Sequence, residues 1–327
     1  MKITNWAMIF VMVFSGLFWA EDLHAAQQRA GYLIEQRYNA VIRTAAQDGA
    51  TRLNENELQK YEAGYDSERY FRANKERALS ALLNTLYVNF GVVDDPLAQQ
   101  ALLQYIPAVL VIDYDGYYIY SSQETLSKNG EPQIQHLWSE KKPYTLIDEQ
   151  GKAIRLTLDD QVEVLDSQRR QWSRGRRAEL AASQDITILK QEARFDDIRR
   201  TTIVRCIEDD LAGVINKHNT YARQTGLKYT FTLPTIPDED WDNTLADVGI
   251  LVFLQGIPVG EQYYNNYSFG GGRLIKRKVI YGGVDLSSGI KYYYRESCKG
   301  SYKLEEVFTN EREAAVRGYF EAPCLTK

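Results

Sequence analysis

Residues 107–122 read PAVLVIDYDGYYIYSS. An apolar run, Val109–Ile112, is followed by Asp115-Gly116 and then by the aromatic run Tyr117–Tyr120. Two β-favouring runs flanking an Asp-Gly step predict an antiparallel hairpin turning at Asp115-Gly116. A type I′ turn needs a positive φ at Gly116, which glycine adopts freely. Upstream of Pro107 the apolar residues recur at three- and four-residue steps, and downstream short β-favouring runs are separated by glycines. The stretch therefore divides a helical first third from a mixed remainder, and the chain reads as α+β.

In the helical part, Leu23, Ala26, Ala30, Leu33, Ile34, Val41 and Ala45 predict a helix over 22–62, broken near Gly64. Phe71, Ala78, Leu79, Leu82, Leu83 and Leu86 form the stripe of a second helix, Asp66–Phe90. Asp95-Pro96 starts a short third, with Asp as cap and Pro at its first position. After the hairpin, 123–143 is polar, with Gly130 and two prolines, and reads as a loop. Tyr144–Ile147 and Ala153–Leu158, around Glu149-Gln150-Gly151, read as a second hairpin. Residues 159–225 read as helical, best over Asp196–Thr225, where Ile203, Ile207, Leu211, Val214, Ile215, His218 and Ala222 share a face and Gly226 is a natural terminator. Strands are expected at Lys228–Leu233, Val248–Gln255, Arg273–Ile280 and Ile290–Arg295, punctuated by Gly270-Gly271-Gly272 and Gly282-Gly283.

The 327 residues are 44% hydrophobic and 25% charged, which excludes a disordered chain and a multi-span membrane protein. With 39 basic and 44 acidic residues the net charge is −5, so the basic footprint of a nucleic-acid binder is absent. Three Cys and three His nearly exclude a site rich in soft ligands.

Ile3–Ala20 carries no charge, with Lys2 before it and Glu21-Asp22 after it. Eighteen helical residues reach about 27 Å, just enough for a hydrocarbon core. Basic before and acidic after predicts the N-terminus inside and the body outside. A cleaved signal peptide and a buried helix are the rival readings, and the first shares the extracytoplasmic body. The expected organisation is a transmembrane anchor (1–20), a helical stalk (21–105), a mixed head (106–292) and a small cysteine-containing module (293–327).

Candidate interaction residues come from two stretches. In IPVGEQYYNNYSFGGGRLIKRK, Tyr263, Tyr264 and Tyr267 offer area with a polar handle. A strand, not a helix, follows its glycines, so it is not read as a nucleotide loop. Arg169, Arg170, Arg174, Arg176 and Arg177 put five charges into nine residues, able to meet a polyanion or to form a solvated helix face. The pairs Asp159-Asp160, Asp196-Asp197, Asp209-Asp210 and Asp238–Asp242 read as caps or solvated faces. His218 reads as a core histidine and Cys206 as a buried thiol. No catalytic residue, metal ligand or cofactor site is expected, and a hydrolase lacks any nucleophile–base spacing.

The C-terminal segment, YYYRESC followed by VFTNEREAAVRGYFEAPCLTK, resembles the small zinc module of bacterial DNA-repair methyltransferases. Phe308, Glu313, Ala314, Gly318, Tyr319, Pro323 and Cys324 fit its signature. Two of the four ligand positions are Tyr294 and Lys327, and two thiolates cannot close a structural zinc site. The resemblance implies that Cys298 and Cys324 come together. A disulfide between them is the reading taken forward, with two free thiols and a metal as alternatives. More broadly, the order of anchor, polar helix and FRANKERALSALLNTLYVNFG is similar to pilin-like membrane proteins of Gram-positive tight-adherence systems. That resemblance implies a non-enzymatic, single-pass extracytoplasmic protein of a pilus-like or secretion apparatus. It would have protein partners, a homo-oligomer among them, and no nucleic acid. The alternative is an extracytoplasmic ligand-binding or sensor-like domain.

Overall fold

The computed structural model describes residues 3–54, 64–67, 69–127, 129–149, 151–166, 170–183, 186–245, 247–272, 280–294, 302–308 and 311–323. The chain is α+β, with a long N-terminal helix and, among the described residues, sheets that are antiparallel except for one parallel strand pair. It divides into two compact units, one ending at Leu274 and one beginning at Ile275.

In the first unit, α1 (Ile3–Leu53) is one helix of 51 residues. After it come α2 (Lys75–Phe90) and α3 (Pro96–Leu103). Asp95 caps α3 by accepting from the amides of Leu97 and Ala98, as its sequence predicts. α2 is shorter than the apolar stripe suggested, because 66–67 and 69–74 are not helical. There the Ala73 amide donates to Asp113 and the Asn74 amide to the Leu53 carbonyl, and Asn74 caps α2. Those bonds hold Phe71 and Ala73 in the core without a helix.

The main sheet has the order β3-β2-β1-β8-β9. Its members are β1 (Val109–Asp113), β2 (Gly116–Leu126), β3 (Pro132–Trp138), β8 (Val248–Val259) and β9 (Gln262–Gly272). β1 and most of β8 are buried at every residue, the pattern of strands covered on both faces. One face takes α1: a Cβ on Gly270 would lie 2.0 Å from the Ala46 carbonyl oxygen, and one on Gly49 3.2 Å from Ile250. Toward the other face, Phe269 meets Trp241 of α7 (Asp238–Leu245) edge-on at 5.2 Å. The segment 21–105 is thus no free-standing stalk. Val41, Ile42, Ala45, Ala46, Leu82 and Leu86 share one core with β1 and β8.

The hairpin forms, with one correction. Asp113 pairs with Gly116, so the two turn residues are Tyr114 and Asp115. Gly116 is not among the residues with positive φ. Its glycine is demanded by space instead, since a Cβ there would lie 2.4 Å from the Lys142 carbonyl oxygen. The expected loop 123–143 is also replaced: β2 runs on to Leu126 and pairs with β3, turning through Ser127 and Gly130 at φ +80°. Pro132 is tolerated as the first residue of an edge strand.

A second sheet, β4-β5-β6-β7, is a meander of β4 (Tyr144–Ile147), β5 (Ala153–Leu156), β6 (Gln161–Asp166) and β7 (Gln171–Arg176). β4 and β5 form the expected second hairpin. β6 and β7 correct the helical reading of 159–176. Val162 and Val164 are fully buried around Glu163, which is paired with Arg155 and Arg174, so the alternation of a strand won over charge content. Two short helices, α4 (Arg177–Ser183) and α5 (Thr187–Lys190), lead to α6 (Glu192–Gln224). Its face Ile203, Ile207, Leu211 and Ile215 is buried as expected. Gly226 ends it at φ +86°, with Leu227 and Gly226 amides on the Ala222 and Arg223 carbonyls. Lys228–Leu233 is not a strand. Its backbone is satisfied by amide side chains: Asn219 brackets Phe231, and Gln255 brackets Thr232.

The second unit holds the sheet β12-β10-β11-β13, from β10 (Ile280–Asp285), β11 (Lys291–Tyr294), β12 (Tyr302–Phe308) and β13 (Phe320–Glu321), with α8 (Glu311–Val316). Ile280, Phe308, Ala314 and Tyr319 are its core. Three of those four come from the signature quoted above, and Gly318 of that signature takes φ +83°. Cys298, Cys324 and Lys327, and with them the disulfide expectation, lie outside the described residues, as does most of the Arg273–Ile280 strand.

Candidate functional site

The residues singled out in the sequence do not assemble into one surface. Tyr263 is half exposed, with its ring 5.3 Å from Tyr229. Tyr264 is buried against α1 and donates to Asn39 Oδ1 at 2.8 Å. Tyr267 donates to Asp240 Oδ2 at 3.0 Å, and burial with that carboxylate pushes its hydroxyl up to about 12. Of the arginines, Arg174 grips Glu163 and lies over the Tyr65 ring at 4.2 Å, and Arg177 donates to the Leu189 carbonyl at 2.8 Å. Arg170 and Arg176 are exposed, and Arg169 lies outside the described residues. The carboxylate pairs are engaged separately: Asp159 accepts from Ser67 and Tyr114, Asp196 pairs with Arg199, Asp210 with Lys142 and Asp242 with Arg200. Cys206 is a free thiol, its Sγ 3.6 Å from the Thr145 carbonyl, and burial pushes its pKa up.

Two polar constellations escaped the sequence reading. The first surrounds the β1–β2 turn. Fully buried Asp113 accepts from Arg72 at 3.1 Å, Lys141 at 2.9 Å and the amides of Ala73 and Tyr114. Asp115 accepts from the same two cations. Burial, with the Asp115 charge adding and Arg72 opposing, raises the Asp113 carboxyl to about 7. Every charge here is met by an opposite one inside the protein, so the cluster locks the turn to 141–144 and the chain before α2.

The second lies further along β2. Ser122 Oγ is 3.1 Å from His136 Nε2 on β3 and 3.1 Å from His218 Nδ1 on α6, and His218 Nε2 is 2.9 Å from the Gln104 carbonyl. Burial lowers both histidines, His136 to about 4, with His218 adding to that shift. Both rings are therefore neutral at pH 7. A carbonyl only accepts, so His218 carries its hydrogen on Nε2 and its Nδ1 accepts from the Ser122 hydroxyl. His218 thus donates to Gln104 and Ser122 donates to His218, while His136 Nε2 lies against the same serine oxygen. His218 is the satisfied core histidine its helical position suggested. A serine beside an imidazole has the parts of a nucleophile–base pair, but a backbone carbonyl replaces the orienting carboxylate and burial weakens the base. The chain of bonds holds α6, α3 and the β2–β3 hairpin around a cavity of about 560 Å³.

No family model matches the chain, and neither does any curated protein or solved structure. Among the described residues, no helix is long and apolar enough to cross a membrane.

Proposed function

We propose that the chain is a non-enzymatic, membrane-anchored extracytoplasmic protein whose head serves interactions in an envelope assembly such as a pilus-like or secretion apparatus. One observation carries this reading: α1 is a single helix with two differently placed halves. In the first, Met8, Phe10, Val11, Met12, Phe14, Phe18 and Trp19 are exposed. In the second, Val41–Leu53 packs into the head. Large apolar side chains displayed together mark a surface meant for another apolar phase. Lipid supplies that phase, and the Lys2-before, Glu21-Asp22-after pattern orients the body outward. A helix continuous from lipid into the head sets its position over the bilayer, where protein partners or further copies can pack. Protease added to spheroplasts should degrade the head while the untreated chain pellets with membranes. A full-length soluble pool that survives the protease would end this reading.

A second reading, a ligand-binding extracytoplasmic domain, is favoured by the cavity beside Ser122, whose volume falls in the range of small-molecule sites, ~300–1,000 Å³.

A further inference from the structure

We infer that the cavity between α3, α6 and the β2–β3 hairpin binds an uncharged, polyhydroxylated ligand, a neutral mono- or disaccharide. This rests on the ligand-binding reading and is independent of the anchor.

The lining decides the class. Among the described residues it contains no Asp, Glu, Lys or Arg. An anion or a cation entering the cavity would lose its water and meet no opposite charge there. The two imidazoles do not supply one, because they are neutral and committed to Ser122 and to the Gln104 carbonyl. A purely apolar ligand fits no better. Gln100, Gln104, Gln133 and Gln135 all border the space, and each amide offers donors and an acceptor that such a ligand would leave unpaired. What remains is a neutral molecule with both donors and acceptors around its edge.

The walls add a second requirement. Tyr120 and Tyr221 border the same space, beside Leu103 and Ile134. Tyr120 is held in place by His136 at 5.7 Å and Trp138 at 5.3 Å between ring centroids. A pyranose meets both demands, with hydroxyls at its rim and a C–H face for an aromatic ring. Ser122, His136 and His218 line the same space and are bonded to one another through the serine.

The test uses the full chain in an amine-oxide detergent, which has no sugar head group. Saturation-transfer NMR and titration calorimetry would be run with glucose, N-acetylglucosamine, their β-1,4-linked disaccharides and glucuronic acid. At least one neutral sugar should bind, and glucuronic acid should bind about tenfold more weakly or not at all. Gln135→Ala and Tyr221→Ala should each weaken the neutral sugar about tenfold, the loss expected for one good hydrogen bond or stacking contact, without lowering the melting temperature. Glucuronic acid binding as well as the neutral sugars would leave a ligand-binding cavity but overturn its assigned class. Neutral sugar binding unmoved by both variants would place the sugar elsewhere and overturn the inference. Silence from every sugar would overturn the inference and remove the support for the ligand-binding reading.

Discussion

Along α1, the first half displays Met8, Phe10, Val11, Met12, Phe14, Phe18 and Trp19, whereas the second half buries Ala45, Ala46, Gly49 and Ala50. Val41, Ile42 and Leu53 are buried with them, so the buried face mixes large residues with a small-residue stripe. The difference lies in what each half approaches. Ala46 and Ala50 meet β9 at Gly270, where even a methyl group would collide with the helix backbone. Small residues there let helix and sheet come close enough to exclude water, and packing at that distance has no room for a large side chain. The first half carries large side chains, and nothing in the head constrains their size. Where helix and sheet backbones come closest, at Gly270, the helix therefore presents small residues.

The sharpest way to break the contrast is Gly270→Val. The branched side chain would occupy the space of the Ala46 carbonyl and of Ala50. Overpacking against backbone exceeds the usual ~1–3 kcal/mol for a core insertion, so the head should lose its cooperative thermal transition by circular dichroism. Leu53→Ala comes next. Leu53 is fully buried, and its truncation should cost about 3 kcal/mol of unfolding free energy in a denaturant titration.

An acid response is built into the head through His136. The folded pKa of His136 lies near 4, below its ordinary value, so the unfolded chain binds more protons between pH 4 and about 6.5. Its contribution to stability is present above pH 6.5 and is lost as pH falls toward 4. Asp113, raised toward 7, acts in the opposite sense, favouring the fold as pH falls from 7 toward 4, and cancels when variants are compared. Acidifying from pH 7 to 5 should lower the melting temperature of His136→Gln less than that of the wild type. An equal or larger drop in the variant would remove His136 from the acid response.

Tyr264→Phe deletes the hydroxyl bond to Asn39 and should cost about 1 kcal/mol, because Asn266 still serves Asn39 at 2.6 Å. The smallest expected effect on stability is that of Phe10→Ser with Phe14→Ser. Both side chains are exposed, and the melting temperature of the head should move little, within about 0.5 kcal/mol of stability.

The helix face of α6, the cap of α3 and the pairing of β1 with β2 were all legible, because each rests on local period or local hydrogen bonding. Gly116 was legible as a required glycine but not for its reason: Lys142, which crowds it, is distant in sequence. β3 was hidden by polar composition, since an edge strand needs few apolar residues, and with it went His136. β6 carried a readable Val162-Glu163-Val164 alternation that the surrounding charges obscured. The Ser122–His136–His218 chain was beyond reach, because its three members come from three elements joined only by the tertiary fold. Tyr264 and Tyr267 looked like a surface because alternation in β9 could not be assigned to faces before its neighbours were known.

The most direct test of the anchored reading is alkaline extraction of membranes carrying the full chain, set beside a variant lacking Ile3–Ala20. The full chain should stay in the pellet, and the deletion variant should appear in the supernatant with an unchanged melting temperature, since none of the described side chains of that segment is buried in the head. A full chain released by the extraction, or a deletion variant that still pellets as folded protein, would contradict the assignment of the first half of α1 to lipid.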